Sequence, residues 1–163
     1  MAEIIVIRNT YGGLRYLKSA LDYVSDERAL YQGGYGVNPY SSNDAYNQMT
    51  ATKAYYNKRS GNPLIHVVIS YDSKVKDAET AASYGQKCAA YFASDYQVKY
   101  STHNKDTGCS SYHTHLIINS VSYVDGHMFN SSYENMNLFC EYVAGVTGQK
   151  TQLHFKNKAN QLV

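Results

Sequence analysis

The sequence has no tryptophan, two prolines and three cysteines in 163 residues. So little proline, with eleven glycines, excludes collagen-like and low-complexity chains. Cys88, Cys109 and Cys140 are odd in number and widely separated, so they form neither a disulfide framework nor a paired cysteine metal site. No apolar run reaches the roughly 18 residues that a membrane-spanning helix requires. Met1 to Arg8 carries Glu3 and lacks the layout of a signal peptide. A soluble chain in a reducing cytoplasm, without membrane insertion, is expected. Charge of one sign is also scarce: fifteen Lys and Arg against thirteen Asp and Glu leave +2. This excludes an acidic tail and a uniformly basic nucleic-acid coat, so any polyanion partner must be met by a local patch.

What the chain has in abundance is tyrosine, eighteen in all. Tyrosine offers a stacking face and a hydroxyl that can hydrogen-bond or act as a nucleophile, and composition alone does not choose between these. With 44% apolar and 17% charged residues, a packed core is expected. There is no internal repeat and no linker, so residues 1–163 read as one domain.

Strand-like and helix-like stretches alternate, which predicts an α+β fold with a mainly antiparallel central sheet and helices over one face. Ile4 to Ile7 reads as a strand. Leu14, Leu17, Leu21 and Val24 form one apolar helical stripe, and Tyr16 and Tyr23 fall on the other side, away from the core. Gln32 to Pro39 reads as a loop rich in turn signals. A helix from about Ser42 to Lys58 follows, capped by Ser41, Ser42 or Asn43, with Ala45, Met49, Thr52 and Tyr56 on one stripe. No acid occurs between Ala45 and Tyr71, while Lys53, Lys58 and Arg59 make one candidate phosphate-facing patch. Leu64 to Tyr71 alternates as a strand, and Asp77 to Ala93 reads as a helix. Strands then run over Tyr96 to Thr102 and His113 to Val124, with a polar loop between them. A last helix, capped by Ser131 or Ser132, buries Met136, Phe139, Cys140 and Val143, with Gly145 or Gly148 as its stop.

The chemistry concentrates between His103 and Asn119. Side chains two apart on a strand point the same way, so His113 and His115 share a face with Asn119 further along it. A hairpin through the polar loop would return His103 beside His113. Three imidazoles would then converge as ligands for a divalent metal, and such a set accepts Zn, Mn, Fe, Co, Ni or Cu. His127 and His154 have no motif around them.

Several blocks in order carry a family resemblance: Gly36-Val37-Asn38, His66-Val67-Val68-Ile69-Ser70-Tyr71, Tyr96-Gln97-Val98 leading to His103, and His113-Thr114-His115-Leu116-Ile117-Ile118-Asn119-Ser120-Val121 with Gly126 after it. The chain resembles the relaxase, or mobilisation nuclease, domain of plasmids and integrative conjugative elements, in the branch that includes the VirD-type border nucleases. The resemblance implies a bacterial single-strand DNA endonuclease that nicks at an origin of transfer. It implies that a tyrosine attacks the phosphodiester and stays joined to the 5′ phosphate.

By the same resemblance the nucleophile lies in Ala20-Leu21-Asp22-Tyr23-Val24-Ser25, as Tyr23, with Tyr16 and then Tyr11 as the other candidates. His103, His113 and His115 would hold a divalent ion, Mn or Mg first and Zn, Ni or Co as alternatives. Ser70 and Asn119 match residues that meet DNA. The implied partners are single-stranded DNA at the origin, an accessory DNA-binding protein and the coupling protein of a type IV secretion system. Family members continue beyond the nuclease domain, so residues 1–163 would be the N-terminal part of a longer protein. Many members have an aspartate two residues after the first histidine and a shorter loop. Here Lys105 stands at that position, Asp106 follows it, and nine residues separate His103 from His113.

Other readings stay open on the residues alone. A rolling-circle replication initiator or transposase would use the same chemistry. A non-catalytic single-stranded nucleic-acid binding domain would use the tyrosines for stacking, and a metal-dependent hydrolase would use water in place of tyrosine.

Overall fold

The computed structural model describes residues 1–8, 13–104 and 111–157. Ten elements follow one another: β1 (Ala2–Arg8), α1 (Gly13–Val24), β2 (Ala29–Tyr35), α2 (Ser42–Tyr55), β3 (Leu64–Ser70), α3 (Ala78–Ala90), β4 (Val98–His103), β5 (His113–Asn119), α4 (Tyr133–Thr147) and β6 (Thr151–Asn157). The strands form one sheet in the order β2-β4-β5-β3-β1-β6. Every neighbouring pair is antiparallel except β1 and β6, which run parallel. Sequence reasoning placed a loop where β2 forms and ended at α4, so both strands at the sheet edges are additions to the expected order.

Helices cover both faces of the sheet rather than one. Odd-numbered β3 residues Ile65, Val67 and Ile69 join Leu116 and Ile118 of β5 in a core with α3 and α4. On the opposite face Leu64 and Ile117 pack with Leu17, Leu21 and Val24 of α1 and Ala45 and Met49 of α2. The period of two along each strand puts Ser101, His103, His113 and His115 on this second face, beside α1.

The helix ends follow local chemistry. Ser41, Asp77 and Ser132 cap α2, α3 and α4, each accepting a hydrogen bond from the backbone N–H three residues on. α4 stops at Gly148, whose φ of 69° suits a residue without a Cβ. Cys88 and Cys140 are buried thiols without a disulfide, and burial pushes them up to about 12 and about 11. No helix among the described residues is long and apolar enough to cross a membrane.

Candidate metal and nucleophile site

The β4–β5 hairpin returns the chain so that His103 pairs with His113, and Ser101 with His115. Residues opposite one another on antiparallel strands share a face, and the three imidazoles therefore meet. Ring centroids lie 4.8 Å apart for His103 and His115, 5.0 Å for His113 and His115, and 5.5 Å for His103 and His113. One nitrogen from each ring falls within 4.8 Å of the others. A small side-chain adjustment brings such a set onto one ion.

The surroundings prepare these rings for a cation. Ser101 Oγ donates to Val24 O at 2.6 Å, and His103 Nε2 lies 2.6 Å from that same Oγ and 3.2 Å from Val24 O. With the hydroxyl proton committed to the carbonyl, Nε2 is the protonated nitrogen, and the neutral ring carries its lone pair on Nδ1. His115 is buried, and its Nε2 has no hydrogen-bond partner among the described residues. Burial, followed by the neighbouring charges of His66, His113, His103 and Arg28, holds His115 well below the usual histidine range. A neutral buried imidazole with an unused nitrogen has the form that metal binding requires of a ligand. The residues present fit a divalent ion.

Tyr23 stands at the end of α1 over this cluster. Its ring meets His115 edge-on, with centroids 5.7 Å apart at an interplanar angle of 90°, and it is 47% exposed. The two hydrogen bonds that Val24 O accepts from Ser101 and His103 pin this end of α1 to β4, so one backbone carbonyl ties the helix beside Tyr23 to a candidate metal ligand. The Arg28 guanidinium lies 4.9 Å over the Tyr23 ring. It is held by Asp26, with Nη2 donating to Oδ2 at 2.6 Å and Nε at 3.0 Å. The hydrogen bonds of this pair hold the Asp26 carboxyl below its ordinary value and raise Arg28 further.

Several expectations change on this geometry. Tyr16 does not share the open side of α1 with Tyr23; it is 4% exposed and packs in the core with Leu17, Ala20 and Leu21. Lys53 does not face outward with Lys58 and Arg59. It is buried, donating to Ser120 Oγ at 2.7 Å. Ser70 is at the site, paired with His113 across β3 and β5. Asn119 is at the opposite end of β5, wholly buried, donating from its amide to Met49 O and Gln97 Oε1. His127 is bonded to Asp125 and Tyr96 beyond β5, away from the cluster. Tyr11, Lys105, Asp106 and Cys109 lie outside the described residues.

Two residues beside the cluster lie outside the site residues expected from sequence, where His66 shares a strand face with Ser70 and is left out of the metal set. His66, on the same β3 face as Ser70, has its Nε2 2.9 Å from His115 Nδ1. Its alternation with Val67 was the available signal. Arg28 had none beyond an acid two residues before it.

Comparison with known proteins identifies a family. Residues 16–147 match the family described as relaxase, MobA/VirD2-like, nuclease domain. The chain is also similar to the protein rlx of Staphylococcus aureus, 30% identical over 123 residues, which is 76% of this chain and 36% of that protein. The chain thus spans about a third of the length of that curated relative. The matched segment contains Tyr23, Arg28, His66 and all three clustered histidines. On that match, covering most of its length, the chain belongs to the MobA/VirD2-like family of relaxase nuclease domains.

Proposed function

We propose that this domain nicks one DNA strand at an origin of transfer by tyrosine transesterification, in the conjugative mobilisation of a plasmid or integrative element. The observation that carries the reading is the exposed phenol of Tyr23 set edge-on to His115, one of three convergent imidazoles. Tyr23 Oη attacks the scissile phosphorus and loses its proton. The P–O3′ bond breaks, the 3′ oxygen takes up a proton, and the 5′ phosphate stays on the tyrosine. The phosphotyrosine keeps the energy of the original ester, so the 3′ hydroxyl can reverse the step.

A divalent ion held by His103, His113 and His115, Mn or Mg in the first instance, would neutralise charge on the phosphate. The chain's own residues do the remainder. α1, anchored through Val24 O, fixes the approach of Tyr23, and Arg28 adds a fixed positive charge beside the phenol. Ser70 is proposed to contact the strand next to the nick. Single-stranded origin DNA is the proposed substrate, with an accessory DNA-binding protein and a type IV coupling protein as proposed partners.

The test incubates the protein with labelled single-stranded oligonucleotides spanning a candidate origin, with and without Mn or Mg, and resolves products on a denaturing protein gel. A metal-dependent covalent band, lost in Tyr23→Phe and kept in Tyr16→Phe, is the expected result. Cleavage without a band would replace the tyrosine by water and overturn the reading.

A further inference from the structure

His66 sits in the interior of the sheet, 3% exposed, and its Nε2 is 2.9 Å from His115 Nδ1. β3 and β5 place it there: Val68 pairs with His115, and His66 is the same-face residue one pleat along, so the two rings meet diagonally. At that distance one nitrogen must carry a proton and the other a lone pair. Two arrangements are available to the neutral pair. If His66 donates, His115 holds its proton on Nε2, a buried N–H with no acceptor among the described residues. If His115 donates from Nδ1, its Nε2 is left as a lone pair and no N–H of His115 goes without an acceptor.

We propose that His66 is a positioning residue that accepts the Nδ1–H of His115 and thereby presents the Nε2 lone pair of His115 to the metal. The proposal rests on the metal reading of the three-histidine cluster. Its consequence is chemical as well as geometric. Metal-bound histidines commonly give their second N–H to a carboxylate, a carbonyl or water. An imidazole in that place braces the ligand without adding negative charge, so a three-imidazole set leaves the whole charge of the ion to the phosphodiester. His66 then exists as the Nδ1–H tautomer, with Nε2 unprotonated.

The experiment compares the wild-type chain with His66→Leu, which removes the acceptor, and His66→Gln, whose side-chain carbonyl can accept in its place. Mn affinity is read by electron paramagnetic resonance of the unbound ion, with circular dichroism and thermal melting to verify folding. His66→Leu is expected to bind Mn on the order of 10- to 100-fold more weakly, and His66→Gln to recover most of the loss. Nitrogen-15 NMR of the zinc-loaded wild type is expected to show Nδ1–H on both His66 and His115. A folded His66→Leu with wild-type affinity, or a wild-type spectrum with the proton on His66 Nε2, overturns the proposal and leaves the metal site standing. Wild-type protein that binds none of these ions overturns the metal reading and this one with it. Should His66→Leu fail to fold, the wild-type NMR assignment decides alone.

Discussion

Tyr23 and Tyr16 are two turns apart on α1, yet only Tyr23 is open to solvent. The four-residue stripe from Leu14 to Val24 suggested a narrow apolar face. Ala20 belongs to that face too, and its inclusion shifts the buried side toward Tyr16. Period counting therefore placed Tyr23, which the family resemblance singled out, on the open side and misjudged its neighbour. The three histidines were legible because strand alternation and one hairpin fix their meeting without knowledge of packing. Arg28 was not, since its position over Tyr23 depends on the turn after α1. If its guanidinium stabilises charge as the phenol attacks, Arg28→Ala should lower the single-turnover rate of adduct formation by on the order of 100-fold. Oligonucleotide affinity, measured by fluorescence anisotropy, should change far less. Loss of binding in proportion to rate would instead make Arg28 an ordinary DNA contact.

Lys53 supports a second prediction at this scale. Burial pushes it down to about 8, against an ordinary value of 10.5, and Lys99, also buried, is pushed to about 8. The folded chain sheds these protons while the unfolded chain still holds them, so the two lysines contribute stability that rises as pH climbs from about 8 to 9. Within the same window the thiols of the unfolded chain titrate, at about 8.5, while buried Cys88 and Cys140 keep their protons, which opposes the trend. Lys53→Met should unfold at a higher urea midpoint at pH 7 and change less favourably in stability than the wild type between pH 8 and 9. An unchanged pH slope would mean that Lys53 is not buried in solution.

Among elements, the two strands that sequence reasoning missed are the two edges of the sheet. Edge strands are solvated along one side and need little apolar alternation. β2 reads Ala29-Leu30-Tyr31-Gln32-Gly33-Gly34-Tyr35, where two glycines mimic a turn, and Leu30 is 49% exposed. β6 follows the stop of α4 so closely that it reads as a tail. The interior strands β3 and β5, rich in Val and Ile, were legible because both faces are covered. The packing of α3 on β5 is close at one point: a Cβ at Gly85 would lie 2.7 Å from Thr114 Oγ1 and 2.8 Å from Thr114 Cγ2. Thr114 cannot readily turn away, because its hydroxyl is 2.9 Å from both Tyr71 Oη and Thr102 Oγ1. Gly85→Ala gains up to about 1 kcal/mol of helix propensity but overpacks at a cost of about 1–3 kcal/mol. Chemical denaturation should show a net loss, and because Thr114 lies between His113 and His115, Mn affinity should fall with it. A stabilised variant would show that α3 can lift from the sheet without cost.

For the molecule as a whole, the sheet carries its larger core on one face, and a smaller core together with the histidine cluster on the other. The α3–α4 face is filled by side chains such as Phe92, Phe139 and Leu116. The α1–α2 face spends part of its area on four imidazoles, of which His66 is pushed down to about 4 by burial and then by the charge of His103. Such a face has the smaller apolar core of the two, and an ion that binds only the folded chain adds stability there by mass action. At a free metal concentration of 100 times Kd the gain is about 2.7 kcal/mol. At about 2–4 °C per kcal/mol for a chain of this size, Mn should raise Tm by roughly 5–10 °C. His113→Ala should melt close to the metal-free wild type and lose nearly all of the Mn response, since His113 is half-buried at the rim of the cluster and fills no core position. Scanning calorimetry with Mn and then with excess chelator measures both terms. Equal Mn shifts in the wild type and His113→Ala would place the ion elsewhere on the chain and remove the link between the histidine face and the stability of the sheet.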